Sequence, residues 1–107
     1  MKSVKPSKIF WTNPAKFQLK EIFIYHKKIV SVKIASSIKR KIIKSTKSLS
    51  NYTQIGQEEE LLKHKNEIHR YLVEGNYKII YKTVSDSIYI MDVFDTRQNP
   101  EKLATSL

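Results

Sequence analysis

The stretch that decides the fold is EIHRYLVEGNYKIIYKTVSDSIYIMDVFDTRQNP, residues 67–100. Within it, apolar and polar residues alternate with a period of two in three segments rich in isoleucine, tyrosine and valine, as is typical of β-strands. The three segments are EIHRYLV at 67–73, NYKIIYK at 76–82 and SIYIMDVF at 87–94. Short turns, at Glu74-Gly75 and at 84–86, separate them. The pattern therefore predicts an antiparallel meander of three strands joined by hairpins.

Upstream of these strands, the spacing of apolar residues changes to that of helices. SKIFWT at 7–12 predicts a short first strand. Asn13 followed by Pro14 predicts a helix start, because asparagine caps free amides and proline fits the first helical position. Ser31 is expected to cap a second helix within 31–49. The apolar stripes of the two helices are Ala15, Leu19, Ile22 and Phe23 in the first, and Ala35, Ile38, Ile42 and Leu49 in the second.

These elements predict an α+β fold: one small domain over residues 1–107 with an N-terminal strand, a helical hairpin and then the antiparallel three-stranded meander. Two amphipathic helices joined by a short loop are expected to pack their apolar stripes against the sheet. We expect both helices on one face and the other face partly open. A polar loop at 50–57 leads back to the sheet, and the segment from Pro100 forms a short terminal helix or an irregular tail.

Charge is the strongest global signal in the sequence. Twenty lysines and arginines against ten carboxylates give a net charge of +10, which favours nucleic acid, the ribosome or an acidic protein as partner. The absence of cysteine excludes disulfides and thiolate chemistry. The three histidines are too dispersed for a zinc site, so we expect no metal and no cofactor. No apolar run is long enough for a signal peptide or a membrane span, so we expect a cytoplasmic protein without a membrane partner.

Two pieces of the sequence carry a resemblance to a known family. They are RYLVEGNYKIIYK at 70–82 and IYIMDVFDTRQNP at 88–100, with Arg97 just past the last strand. Together with the element order, the length and the charge, they make the chain similar to the RelE/ParE superfamily, the toxins of type II toxin–antitoxin modules. The resemblance covers nearly the whole chain. It implies that the protein arrests growth and that a cognate antitoxin wraps it with an extended or helical segment.

Two targets occur in this superfamily. RelE-like toxins enter the ribosomal A site and cleave mRNA, whereas ParE-like toxins poison DNA gyrase. The pattern RYLVEGNY followed by KIIY, with the long helical hairpin, favours the ParE-like branch. The net charge favours ribosome-dependent RNA cleavage, as does the expected proximity of Lys63, Lys65, Arg70 and Arg97, and we take cleavage as the working prediction. A degenerate, non-toxic member that binds nucleic acid or an antitoxin is the third alternative.

If the chain is RelE-like, the resemblance assigns roles to particular residues. Arg70 and Arg97 are expected to stabilise the charge that builds on the phosphoryl oxygens. Guanidinium stays protonated, so another group must accept the proton: Asp95 is the candidate, with His64 and His69 as alternatives. Asp95 could instead form an ion pair with Arg97. The expected RNA-binding residues are Lys63, His64, Lys65 and Lys82, and the expected antitoxin- or rRNA-binding residues are Lys33, Arg40, Lys44 and Lys47.

Overall fold

The computed structural model describes residues 8–50, 56–63, 65 and 67–106. The elements follow in the order β1 (Lys8–Trp11), α1 (Asn13–Ile29), α2 (Val32–Lys47), β2 (Gln57–Glu58), β3 (Arg70–Glu74), β4 (Tyr77–Val84), β5 (Ser87–Asp95) and α3 (Glu101–Ser106), with 3-10 turns at Ser48–Ser50 and Glu60–Leu62. The predicted α+β class and the predicted order are confirmed. The structure adds β2, which is too short to leave a period-two pattern.

The five strands form one mixed sheet in the order β1-β5-β4-β3-β2. The predicted meander is confirmed, since β3, β4 and β5 pair antiparallel through tight hairpins. Gly75 has φ +60° in the first hairpin turn and Ser85 has φ 53° in the second. Glycine adopts this left-handed conformation without strain, which explains its place in the first turn. β1 pairs parallel with β5 and carries the chain into the helices.

Side-chain caps start both helices. The Ser31 hydroxyl accepts the Ile34 amide at 3.1 Å, as predicted. At α1, the capping residue is Thr12 and not the expected Asn13: the Thr12 hydroxyl accepts the Ala15 amide, and Asn13 is already helical. Thr12 can act as the N-cap because its backbone is still extended at the end of β1, as the capping position requires. Among the described helices, none has the length and apolar composition needed to cross a membrane.

The main core lies between the helical hairpin and one face of the sheet. The predicted helical stripes supply Ala15, Leu19, Ile42 and Leu49, which are buried, and Ile22 and Ile38, which are partly buried. They meet Ile79 and Tyr81 of β4, both with no exposed surface. The predicted stripes thus pack here except at Phe23, which lies outside this core and is half-buried with Lys39 Nζ 5.6 Å from its ring centre.

A second, smaller core covers the other face of the sheet. Because successive strand residues point to opposite faces, Ile80 lies away from the helices while its neighbours Ile79 and Tyr81 face them. Ile80 packs with Phe94, with Leu62 from the 3-10 turn and with Leu103 from α3. The expected partly open face is therefore closed over its middle. The prediction missed this because a six-residue helix and a three-residue turn have little amphipathic pattern to read.

Candidate functional site

A groove of about 650 Å³ runs along the edge of β5. β1 pairs only with residues 87–90 of β5. In the described part of the chain, residues 91–95 therefore have a strand neighbour on the β4 side alone. Side chains of α1, including Gln18, Glu21 and Tyr25, form one wall, and the segment after β5 forms the other. We call this feature the β5-edge groove.

Thr12 fixes where the groove begins. Its amide and its hydroxyl both donate to the Ile90 carbonyl, at 3.1 and 2.7 Å. These bonds complete the pairing of β1 with β5, and at the next residue the chain turns into α1. The hydroxyl also lies within 3.4 Å of the Met91 carbonyl, so Thr12 contacts the edge of β5 through Met91, and the edge is open to the groove beyond that residue.

Asp92 reaches the groove because β5 contains a bulge. Ile80 pairs with Asp92 but the next residue, Tyr81, pairs with Ile90, which leaves Met91 as the extra residue. Strict alternation from Ile88 and Ile90 would place Asp92 in the helix-side core, whereas the bulge gives that position to Val93. A carboxylate at an apparent core position of an apolar strand was the sequence signal for this bulge, and sequence reasoning missed it.

Asp92 is a buried carboxylate on the groove wall. Its side chain is only 7% exposed, and Oδ1 accepts the Val93 amide at 2.9 Å. Burial raises the pKa of Asp92 above its ordinary value, and the hydrogen bond from Val93 offsets part of that rise. Among the described residues, no lysine or arginine forms an ion pair with it. Asp92 thus has one neutral hydrogen-bond donor and no charged partner within the described part of the protein.

Asp95 and Arg97 form a two-pronged ion pair at the end of the same groove. Arg97 Nε and Nη2 donate to the two oxygens of Asp95 at 3.0 and 2.8 Å, and the Arg97 amide donates to Oδ1 at 2.9 Å. The Arg97 hydrogen bond lowers the pKa of Asp95, and Asp95 in turn raises the pKa of Arg97. This is the ion-pair alternative that the sequence left open. A carboxylate held ionised by three donors is a weak proton acceptor.

His26 and Tyr77 join the helical hairpin to the sheet beside the groove. His26 Nε2 lies 2.8 Å from the Tyr77 hydroxyl, and this contact joins α1 to β4. Burial raises the pKa of Tyr77, and the charge of Asp95 adds to the rise. Tyr25 is 51% exposed and lines the groove.

Arg70 has a structural contact at the other end of the sheet. Its Nη1 donates to the Gly56 carbonyl at 3.2 Å, while the Gly56 amide donates to the Tyr81 hydroxyl at 2.9 Å. A Cβ at Gly56 would lie 2.5 Å from the Tyr71 carbonyl and 2.7 Å from the Tyr81 hydroxyl. Gly56 precedes β2. The hydrogen bonds with Arg70 and Tyr81, and a space too tight for a larger residue, hold Gly56 against the sheet.

The structure does not bring Arg70 and Arg97 together. Arg70 pairs with Tyr81, and Asp95 pairs with Tyr77, four residues away on β4. This offset is roughly 13 Å along the strands, and two strand spacings add about 10 Å across them. In this structure the two guanidinium groups therefore do not converge on one phosphate, since Arg97 contacts Asp95 and Arg70 contacts the Gly56 carbonyl.

The expected RNA-binding lysines form a third location. Lys82 pairs with Glu67 at 2.8 Å, on the face of the sheet opposite the helices, and Lys63 pairs with Glu60 at 2.8 Å. His69 lies nearby but is only 4% exposed, and burial lowers its pKa. Lys65 is half-buried, and His64 lies outside the described residues. In the described ranges, no group of three or more histidine or carboxylate side chains is arranged to hold a metal.

The basic residues of α2 form a continuous exposed stripe. At about 100° per residue, positions 33, 40, 44 and 47 fall within roughly 60° of one another around the helix. The side chains of Lys33, Arg40, Lys44 and Lys47 are all exposed, on the side opposite Ala35 and Ile42. We call these four residues the α2 stripe.

Comparison with known proteins identifies the family. The family model for the ParE toxin of the type II toxin–antitoxin system parDE matches residues 9–100. No curated protein matches the sequence. The fold is similar to that in a solved structure of a chromosomal ParDE system from P. aeruginosa, with a TM-score of 0.71 and 15% sequence identity over 83% of this chain and 95% of that one.

Proposed function

The chain belongs to the ParE toxin family of type II toxin–antitoxin systems, and from this premise we propose that it arrests growth by poisoning DNA gyrase. A cognate antitoxin neutralises it in the cytoplasm. The working prediction from sequence was ribosome-dependent mRNA cleavage, and the geometry of the arginines favours gyrase instead. The observation that carries the choice is the separation of Arg70 from Arg97.

RNA cleavage needs charge stabilisation and a proton acceptor at one phosphate. Arg97 forms an ion pair with Asp95, and Arg70 donates a hydrogen bond to the Gly56 carbonyl at the far end of the sheet. Asp95 is held ionised, and His69 is too buried to reach a ribose hydroxyl. Among the described residues, the groups proposed for cleavage thus occupy separate places, and both arginines have structural partners.

The tip of the helical hairpin supports a protein target. Four apolar side chains are exposed there, Ile29, Val30, Val32 and Ile34, with exposed fractions between 43% and 59%. We call them the hairpin tip. Clustered exposed apolar side chains are typical of protein-binding surfaces. Lys27, Lys28 and Lys33 surround the tip with positive charge, which suits an enzyme that holds DNA.

The test adds purified toxin, freed from its antitoxin, to two reactions. In the first, gyrase supercoils relaxed plasmid, and we expect loss of supercoiling with accumulation of cleaved plasmid. In the second, ribosomes translate a defined mRNA whose 5′ ends are mapped, and we expect no new ends. Cuts that require ribosomes would overturn the proposal. Harmless high expression without antitoxin, with neither reaction affected, would favour the degenerate alternative.

A matched pair of variants tests the hairpin tip. Val30→Glu places a charge on the tip, and Val73→Glu places the same charge on an equally exposed residue of β3, since the two valines are 59% and 62% exposed. We expect Val30→Glu to raise the toxin concentration for half-inhibition of gyrase by at least about tenfold, because a buried unpaired charge opposes binding. Val73→Glu should change it by less than about twofold. Equal effects would exclude the tip as the contact.

A further inference from the structure

We propose that the β5-edge groove binds an extended strand of the cognate antitoxin and that Asp92 selects a lysine or arginine side chain on that strand. The inference rests on the proposed toxin–antitoxin function. It places an antitoxin strand at the open edge of β5 and pairs one lysine or arginine of that strand with Asp92.

The open edge of β5 provides the backbone part of the site. An unpaired edge in the middle of a mixed sheet is a template for strand addition, with main-chain hydrogen bonds supplying affinity. Here the Val93 amide donates to the Asp92 side chain at 2.9 Å. The carboxylate thus accepts the hydrogen bond that a backbone carbonyl of a neighbouring strand would otherwise accept. An incoming strand would continue the line of β1 past Thr12, between α1 and the segment after β5.

The Asp92 carboxylate provides the selective part. Its side chain is only 7% exposed and lines the groove. Among the described residues, no lysine or arginine pairs with it. Burying a carboxylate without a cationic partner is unfavourable, and a bound ammonium or guanidinium group relieves that cost. An antitoxin strand with a neutral or acidic residue at this position would leave the cost in place.

The charge of the groove also differs from that of the whole protein. The chain carries +10, yet the groove wall holds three carboxylates, Glu21, Asp92 and Asp95, against two cations, Arg97 and Lys102. Arg97 already neutralises Asp95. A second copy of this chain is a poorer occupant than an antitoxin strand, because residues 91–95 of its β5 contain two aspartates and no lysine or arginine that could pair with Asp92.

The experiment measures antitoxin affinity of Asp92→Asn and of the control Asp86→Asn, using the antitoxin that co-purifies with the wild-type toxin. Asparagine keeps the oxygen that accepts the Val93 amide and removes the charge. Asp86 is exposed in the β4–β5 turn and loses the same charge. We expect at least about tenfold weaker binding for Asp92→Asn and less than about twofold for Asp86→Asn. The unfolding transition of each variant confirms the fold.

A second measurement identifies the basic residue of the antitoxin. Each lysine and arginine of the antitoxin is replaced by methionine, and binding to wild-type toxin and to Asp92→Asn is compared. We expect one position whose loss of about tenfold with wild-type toxin disappears with Asp92→Asn. If Asp92→Asn does not fold, one such position against wild-type toxin still supports the proposal, and none overturns it.

Affinity of Asp92→Asn within about twofold of wild type would also overturn it. The gyrase reaction with wild-type toxin alone decides the proposed function separately. A toxin that binds its antitoxin through Asp92 but leaves gyrase unaffected would contradict only the choice of target.

Discussion

Asp92 and Asp95 are two carboxylates of one strand with opposite electrostatic environments. The Arg97 hydrogen bonds lower the pKa of Asp95, whereas burial raises the pKa of Asp92. The Asp95 partner is visible in the sequence, since an arginine follows two residues later. The environment of Asp92 depends on a bulge and on an open strand edge, and both arise from pairing with residues far away in the chain. The sequence therefore suggested the ion pair, whereas the carboxylate at position 92 indicated only the bulge and not the lack of a cationic partner.

We predict that Asp92→Asn makes the free toxin more stable near neutral pH. A group whose folded pKa is raised binds more protons in the folded than in the unfolded state, so wild-type stability falls as pH rises from about 4 through the folded pKa. Asparagine does not titrate and retains the acceptor for the Val93 amide. The gain should therefore grow over that window and stay constant above it.

Urea unfolding of wild type, Asp92→Asn and Asp86→Asn at pH 4, 5, 6 and 7 measures this effect. Asp86 is exposed, so its variant should follow the wild-type profile. An Asp92→Asn variant that is less stable than wild type at pH 7 would show that the ionised carboxylate has a favourable partner in the free protein. An Asp92→Asn variant that is more stable than wild type but binds the antitoxin more weakly would mean that the Asp92 charge destabilises the free toxin and contributes to antitoxin recognition.

At the scale of the elements, Thr12 connects β1, α1 and β5. Its hydroxyl accepts the Ala15 amide at 3.4 Å and donates to the Ile90 carbonyl at 2.7 Å. We predict that Thr12→Ala lowers the free energy of unfolding by about 1–2 kcal/mol, because it removes a helix cap and a long-range hydrogen bond. Thr12→Ser keeps the hydroxyl and should lose less than half as much.

Asn13→Ala is the matched control for this prediction. Asn13 was the cap expected from the sequence, but it is exposed and lies within the helix. Its replacement should change stability by less than about 0.5 kcal/mol, as is usual at exposed positions. Chemical denaturation of the three variants gives the comparison. Equal losses at Thr12 and Asn13 would contradict the capping assignment.

The elements differ in how far the sequence could predict them. β4, β5 and both helices have periodic apolar residues, and their predicted positions agree with the structure to within a few residues. β2 has two residues and depends on Arg70 and Tyr81 holding Gly56 in place. α3 covers the second core with Leu103. Such elements are fixed by tertiary contacts, which a local pattern does not contain. The closed second face was missed for the same reason.

At the scale of the whole sheet, the structure separates the two arginines that the sequence led us to expect side by side. Arg70 begins β3 and Arg97 follows the end of β5, and the sequence indicates that β3 and β5 flank β4. It does not show that the two arginines lie at opposite ends of β4, which follows from the alternating strand directions and the register. The lysines at 63 and 82 are likewise paired with local carboxylates. A basic composition thus gave no single basic site.

At the scale of the whole molecule, the proposed antitoxin site implies that net charge and local charge serve different steps of antitoxin binding. The long-range field of a chain with +10 would attract acidic segments of an antitoxin from a distance. The α2 stripe concentrates that field on one helix. Asp92 acts only at contact distance, where it determines which strand position fits. The field should therefore control the association rate, and the groove should control the dissociation rate.

Our last prediction concerns the salt dependence of association. Raising NaCl from about 50 mM to about 500 mM should lower the association rate constant of toxin and antitoxin by at least about tenfold, because screening shortens the reach of the field. The dissociation rate constant should change by less than about threefold. Stopped-flow fluorescence measures both. At a fixed salt concentration, Asp92→Asn should have the opposite effect to added salt: it should raise the dissociation rate constant and leave the association rate constant nearly unchanged relative to wild type.

Two variants of equal charge loss separate the α2 stripe from net charge. One carries Arg40→Gln, Lys44→Gln and Lys47→Gln, and the other carries Lys8→Gln, Lys16→Gln and Lys20→Gln, at exposed positions outside the stripe. If the stripe guides the antitoxin, the first variant should associate more slowly and with a smaller salt slope than the second. Equal association rates would mean that net charge alone guides the encounter and that the stripe has no specific part in it.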